Sequence, residues 1–190
     1  MRVRGVVFSM GIVLLSASIA SAQAIITSFT GQTVTKTTFL NFGMFFCPGG
    51  EPAGLFPPYA PCSEGSRVNF RGVVFQHSEA ASDSRMTGTM QVVFNGNTDG
   101  WTLGPPVGPG TGPVWGTWHM DVAEGGAWDG IYTGYRQITQ AGNVDTTLKF
   151  VGEGTGGRIE GAKVQFEVSS PHNAPSTFEG RIIDLPAQKK

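Results

Sequence analysis

The sequence predicts an all-β fold, an eight-stranded antiparallel up-and-down β-barrel, and three observations carry that expectation. No segment sustains a 3.6-residue apolar period, because glycine or proline interrupts nearly every window long enough to make a helix. Apolar and polar residues alternate with a period of two over several stretches, the pattern of strands with one face to bury. Glycine is abundant, at 28 of 190 residues, about twice the usual share, and several glycines fall inside those stretches rather than only between them.

The chain opens with an export signal. Arg2 and Arg4 precede an apolar run from Val6 to Leu15 and the small-residue stretch Ser16 to Ala22, the charged, apolar and A-x-A order of a cleavable leader. A membrane anchor is the competing reading, but the run falls well short of the ~20 residues needed to cross a bilayer. Cleavage is expected after Ala22, with Ala24 the second choice because Ala22-Gln23-Ala24 is also an A-x-A triplet. Neither site is followed directly by a cysteine, so no lipid anchor is expected.

The mature product, residues 23–190, is enough for one domain burying about 68–70% of its unfolded surface. It is expected to be secreted or periplasmic, with no membrane attachment after cleavage. Losing two arginines takes the formal charge from −1 to −3, which gives no electrostatic footprint for nucleic acid or anionic membranes.

The two cysteines, Cys47 and Cys62, bound a proline-rich segment. In an oxidising compartment a disulfide pinning the loop 47–62 is the default, contributing about 3 kcal/mol on the chain-entropy model. A redox or metal pair is disfavoured, since there is no C-x-x-C spacing and no neighbouring histidine.

The expected strands are Gln32–Asn41, Arg67–His77, Arg85–Asn95, Val114–Val122, Ala127–Gln137, Asp145–Glu153, Arg158–Val168 and Thr177–Leu185. Met86, Gly88, Met90, Val92 and Phe94 share one face. Val114, Gly116, Trp118, Met120 and Val122 oppose Trp115, Thr117, His119 and Asp121, and Leu148, Phe150 and Gly152 oppose Lys149 and Glu153. Turn chemistry falls at Asn95-Gly96, Asp99-Gly100, Gly125-Gly126, Ala141-Gly142-Asn143 and Gly156-Gly157, and Gly104 to Pro113 reads as a long loop. Closure is favoured over a sandwich by Gly72, Gly88, Gly116, Gly130, Gly134, Gly161 and Gly180, which permit the bends a small barrel needs. An acid-glycine device recurs at Asp129-Gly130, Glu160-Gly161 and Glu179-Gly180.

The runs Trp115-Gly116-Thr117-Trp118, Gly126 to Gly134, Gly152 to Gly157 and Ile159-Glu160-Gly161 resemble the allene oxide cyclase-like barrel superfamily, which includes dirigent proteins and bacterial secreted proteins. The resemblance covers Arg67 to Leu185. It implies an eight-stranded antiparallel barrel with a mostly apolar cavity, often assembled into dimers or trimers. The plant cyclases use a buried carboxylate on a fatty-acid epoxide, and dirigent proteins orient phenoxy radicals. The catalytic residues of neither group map onto matching positions here, and fold likeness alone does not transfer an activity.

His77, His119 and His172 are scattered, with no H-x-H or H-E-x-x-H spacing, so no catalytic metal is expected. His119 beside Asp121 reads as a solvated polar pair in preference to an oriented imidazole. Asn95 to Gly100 imitates a calcium loop, but its first ligand is an amide and Pro106 takes the position of the bidentate Glu. Gly152 to Gly157 opens no helix and is not a phosphate cradle; no G-x-S-x-G elbow is present. Asp129, Glu160 and Glu179 read as outward and solubilising rather than as acid/base tools.

Phe70, Phe94, Trp118, Trp128, Tyr132, Phe150 and Phe178 are the expected interior lining, with Phe94, Trp118, Trp128, Tyr132 and Phe150 the candidate ligand-binding residues. No catalytic residue, metal or cofactor is assigned. The expected function is binding of a small hydrophobic or aromatic molecule, or service as an assembly module, with a homo-oligomer open. A cyclase- or isomerase-like enzyme using a buried acid is the alternative. An outer-membrane barrel ranks third, because the chain ends Gln188-Lys189-Lys190 without a terminal aromatic.

Overall fold

The computed structural model describes residues 23–35, 37–47, 52–54, 68–98, 110–139, 141, 143–172 and 174–186. Among them are eleven strands of one antiparallel sheet and two short 3₁₀ turns, Ser84–Met86 and Gly157–Ile159. The strands are β1 (Ile25–Thr33), β2 (Thr38–Asn41), β3 (Met44–Phe46), β4 (Pro52–Gly54), β5 (Val68–Ala81), β6 (Gly88–Thr98), β7 (Gly110–Val122), β8 (Ala127–Ile138), β9 (Val144–Thr155), β10 (Lys163–Ser170) and β11 (Thr177–Asp184). No described helix is long and apolar enough to cross a membrane.

Eight strands close a ring. From β5 to β11 each strand pairs with the next, β11 pairs with β1, and β1 returns to β5 through Gly31↔Ala81, Gln32↔Ala80 and Thr33↔Glu79. Paired residues form a row around it: Val73, Phe94, Gly116, Tyr132, Phe150, Phe166, Gly180 and Phe29. The row leaves β5 at Val73 and, carried through the short seam, comes back level with Asp83. That is the stagger a sheet needs to meet its own edge.

The row is also the centre of the core. Ring centroids lie 6.1 Å apart for Phe94 and Tyr132, 4.8 Å for Tyr132 and Phe150, and 4.6 Å for Phe150 and Phe166, all near-parallel. Trp118 meets Phe150 and Phe166 edge-on at 5.8 and 5.3 Å, a favoured geometry for aromatic quadrupoles. Glycines make this packing possible. A Cβ on Gly152 would lie 2.5 Å from Trp118 Cζ2, and one on Gly116 would lie 2.9 Å from the Tyr132 hydroxyl.

One end of the ring is plugged by fully buried Met86, Met120, Trp128, Ile159 and Ile182. There Arg85 bridges Asp83, with Nη2 to Oδ2 at 2.7 Å, and Asp184, with Nη1 to Oδ2 at 2.9 Å. The Trp128 indole donates to the Arg85 carbonyl at 2.7 Å.

Several boundaries differ from the sequence expectation. The first ring strand is Ile25–Thr33, not Gln32–Asn41; only Phe29 of β1 is buried, so it carries almost no alternation signal. Residues 38–41 form β2, a separate strand beside β5. The expected turn at Asn95-Gly96 is interior to β6, because Asn95 is used on both sides: its Oδ1 accepts from Gly72 N and its Nδ2 donates to the Trp115 carbonyl. Gly72 has φ +67° and sits in a bulge between Phe70 and Val73, so among the expected bending glycines it does bend its strand. Gly161, with φ +73°, lies in the turn before β10 instead of inside a strand.

Strand β7 starts at Gly110, inside the expected loop, and takes in Pro113. The β6 pairing ends at Val114, and beyond it β7 pairs with β8 alone among the described residues, an edge where proline is tolerated. Residues 158–162 of the expected seventh strand form the 3₁₀ turn and the bend after it, and β10 begins at Lys163.

Candidate functional site

Opposite the plugged end the ring is hollow, and the origin of the cavity lies in how β1 ends. After Thr33 the chain leaves β11 and follows the edge of β5 in pieces, Thr38 to Asn41 opposite Gln76 to Val74 and Met44 to Phe46 opposite Arg71 to Asn69. Strand β2 pairs with β5 alone among the described strands, so the ring opens on its far side. Phe39 and Phe42, stacked at 5.5 Å and about half exposed, stand at this opening.

The cavity holds about 350 Å³, within the range of small-molecule sites. Its apolar wall comes from alternate residues of neighbouring strands: Val73 and Phe75 of β5, Met90, Val92 and Phe94 of β6, and Leu148 and Phe150 of β9. Phe45 and Phe70, 6.3 Å apart, complete that side. Other concavities along β1, β11, β10 and β9 lie on the outer face.

Polar groups enter the cavity at a few places. The inward row of β5 continues from Phe75 to His77 and Glu79, whose side chains are 11% and 5% exposed. His77 Nε2 lies 2.8 Å from Glu79 Oε1, and the Thr33 hydroxyl donates to the same oxygen at 3.2 Å. Among the described residues neither His77 Nδ1 nor Glu79 Oε2 has a hydrogen-bond partner. The hydroxyls of Thr146, Ser170 and Ser176 line another part, with Ser176 Oγ donating to Ser170 Oγ at 2.8 Å.

Arg136, on the far end of β8, is the cation of the lining. Its guanidinium lies 4.8 Å from the Phe94 ring centroid and 5.6 Å from that of Phe70, a stacked cation–π arrangement. Burial pulls its pKa down to about 10.

The five candidate ligand-binding aromatics all face inward but divide into two groups. Phe94 and Phe150 line the cavity. Trp118, Trp128 and Tyr132 are 0–2% exposed, and each polar tip is spent on a backbone carbonyl: Trp118 on Val151 at 3.1 Å, Trp128 on Arg85, and Tyr132 on Val93 at 3.1 Å. Burial pushes the Tyr132 phenol well above its ordinary range. These three build the floor and the core.

On the outside, His119 is held between two carboxylates, with Nδ1 2.8 Å from Asp129 Oδ1 and Nε2 3.3 Å from Asp121 Oδ1. The Asp129 hydrogen bond, opposed by partial burial, raises the His119 pKa. Asp129, Glu160 and Glu179 are exposed and do not converge; Glu160 accepts from the Gly156 amide. The described residues contain no group of His, Cys, Asp or Glu that could hold a metal ion. Cys47 is not a free thiol. Cys62 and most of the loop 47–62 lie outside the described residues.

Reading residue types missed Glu79, His77 as a cavity residue, and Arg136. The signal was present in parity: Phe75, His77 and Glu79 alternate, as do Tyr132, Gly134 and Arg136, so an inward ring at one position sends the others inward. Comparison with known proteins found no matching family model, curated protein or solved structure.

Proposed function

We propose that this chain is an exported eight-stranded up-and-down β-barrel that binds a small apolar or aromatic molecule in the hollow end of its interior. The observation that carries the reading is the cavity of about 350 Å³ walled mainly by phenylalanine, valine, leucine and methionine, with His77, Glu79, Arg136 and several threonine and serine residues completing the lining. An eight-stranded barrel is wide enough to be filled by side chains or to hold one small ligand, and here one end is filled and the other is not. The resemblance to allene oxide cyclase-like barrels is part of this proposal, as are the leader, the secreted or periplasmic location and the Cys47–Cys62 bridge.

A second reading, an isomerase-like enzyme with Glu79 as the acid or base, draws on a carboxylate facing the cavity with one oxygen unpaired among the described residues. It predicts turnover that Glu79→Gln abolishes. An outer-membrane barrel is disfavoured by the outer face, where Lys149 pairs with Glu167 at 3.0 Å and Lys163 with Glu153. Lipid-facing strands carry an apolar band there.

The binding reading is tested by thermal unfolding of the purified protein with a panel of lipids, phenols and aromatic amines. A ligand at 100 times its Kd adds about 2.7 kcal/mol, a rise of about 5–10 °C for a domain of this size. No shift across the panel would overturn the reading. So would a shift that survives Leu148→Trp, which fills the cavity from its wall.

A further inference from the structure

We propose that the Glu79–His77 pair is the seat of an organic ammonium group, so that the ligand of the cavity is a hydrophobic primary amine. The proposal rests on the cavity-binding reading and names the chemistry of its guest. Glu79 is 5% exposed and is one of the residues of the cavity wall. Burying a carboxylate is costly unless it is paired and hydrogen-bonded. Oε1 takes the available donors, His77 Nε2 and the Thr33 hydroxyl, whereas Oε2 takes none among the described residues.

In the neutral Nε2–H tautomer of His77, Nε2 donates to Oε1 and Nδ1 is an acceptor. Two acceptors on side chains two residues apart on one strand face, Nδ1 of His77 and Oε2 of Glu79, are then unused and enclosed beside the cavity. A ligand hydroxyl has one proton and satisfies one of them. A primary ammonium has three protons and a positive charge, so it can serve both and also compensate the carboxylate.

The neighbouring surface suits a cation with an apolar body. Phe75 is stacked on His77 at 5.7 Å, Phe39 stands edge-on to Phe75 at 6.3 Å, and Phe39 stacks on Phe42. Aromatic faces favour ammonium groups and accept alkyl or aryl bodies equally well. The competing charge, Arg136, belongs to the far end of β8 and lies over Phe94 and Phe70. Two regions of the lining therefore carry opposite charge, and the carboxylate region is the one with unused acceptors.

Isothermal titration of the purified protein with 2-phenylethylamine, 2-phenylethanol and 3-phenylpropionate tests this. The amine is expected to bind about 10- to 100-fold more tightly than the alcohol, the worth of a charge-assisted hydrogen bond, and the carboxylate more weakly than either. Glu79→Gln should erase the amine's advantage over the alcohol. Equal binding of amine and alcohol by the wild-type protein, or preference for the carboxylate, overturns the proposal and leaves the cavity reading standing, and that comparison needs no variant to fold. An amine preference that persists in Glu79→Gln overturns the assignment to Glu79. Failure of all three probes together with the wider panel overturns the cavity reading and this proposal with it.

Discussion

Replacing Gly152 with alanine is the sharpest probe of how the ring is packed. The new methyl would lie 2.5 Å from Trp118 Cζ2, 3.2 Å from Trp118 Cη2 and 2.8 Å from the Asp129 carbonyl, so the indole must move. It cannot move freely, because Phe150 and Phe166 hold it edge-on and its Nε1–H is bonded to Val151 O at 3.1 Å. Overpacking of this kind costs about 1–3 kcal/mol, and loosening a buried indole hydrogen bond adds about 1 kcal/mol. The expected loss is therefore about 2–4 kcal/mol, or about 5–15 °C in Tm for a domain of this size, read by urea and thermal denaturation. Trp118→Phe removes the atoms in conflict, so the double variant should lose less than the sum of the singles, with a coupling of about 1–2 kcal/mol. A cost for Gly152→Ala below about 0.5 kcal/mol, or strict additivity with Trp118→Phe, would refute the claim that this glycine exists to seat the indole.

Other consequences follow from the charges. Asp83 is held below the usual carboxylate range, chiefly by its hydrogen bond from Arg85. Its stabilisation is therefore full above the ordinary value near ~4 and disappears as pH falls through the lowered one. Asp83→Asn should be less stable than wild type by about 1 kcal/mol at pH 7, and chemical denaturation should show the gap closing at the acid end. His119 has the opposite sign: its raised pKa makes the pairs with Asp129 and Asp121 strongest below ~6.5 and weaker as pH rises through the raised value. An NMR titration of the His119 ring should fall toward the ordinary histidine value in Asp129→Asn, and an unchanged midpoint would contradict the geometry. Gly72→Ala meets no atom within 4 Å but keeps φ +67°, so it should cost about 1 kcal/mol from backbone strain alone, checked by urea denaturation.

The alternating faces were legible because the period-two pattern is dense in the middle of the chain. Met90, Val92 and Phe94, then Val114, Trp118, Met120 and Val122, and then Leu148 and Phe150 all face inward as their spacing implies. Glycines inside strands also pointed to an unusual interior: at Gly116, Gly130 and Gly134 a Cβ would run into the backbone carbonyl of the neighbouring strand, and at Gly96 and Gly152 into an aromatic ring. The seam was not legible, since β1 buries only Phe29 and its pairing with β5 joins residues about fifty apart in sequence. At the polar end of the cavity, parity from Phe75 covers His77 within the expected strand but reaches Glu79 only if β5 is carried further. Glu79 follows Ser78 and precedes Ala80, Ala81 and Ser82, a stretch with no apolar alternation to extend β5 past His77. Asn95 and Gly96 carry turn chemistry by type, yet the bulge across from them on β5 recruits Asn95 as a hydrogen-bond bridge and keeps β6 extended.

The most direct test of a hollow, ligand-holding ring end is an amide NMR map of the protein titrated with 2-phenylethylamine. Perturbations are predicted to gather on residues 73–79, 90–94 and 146–150, and to leave Trp128, Ile159 and Ile182 at the plugged end unmoved. Binding of the amine with shifts confined to the outer surface around His119 and Asp129 would contradict it.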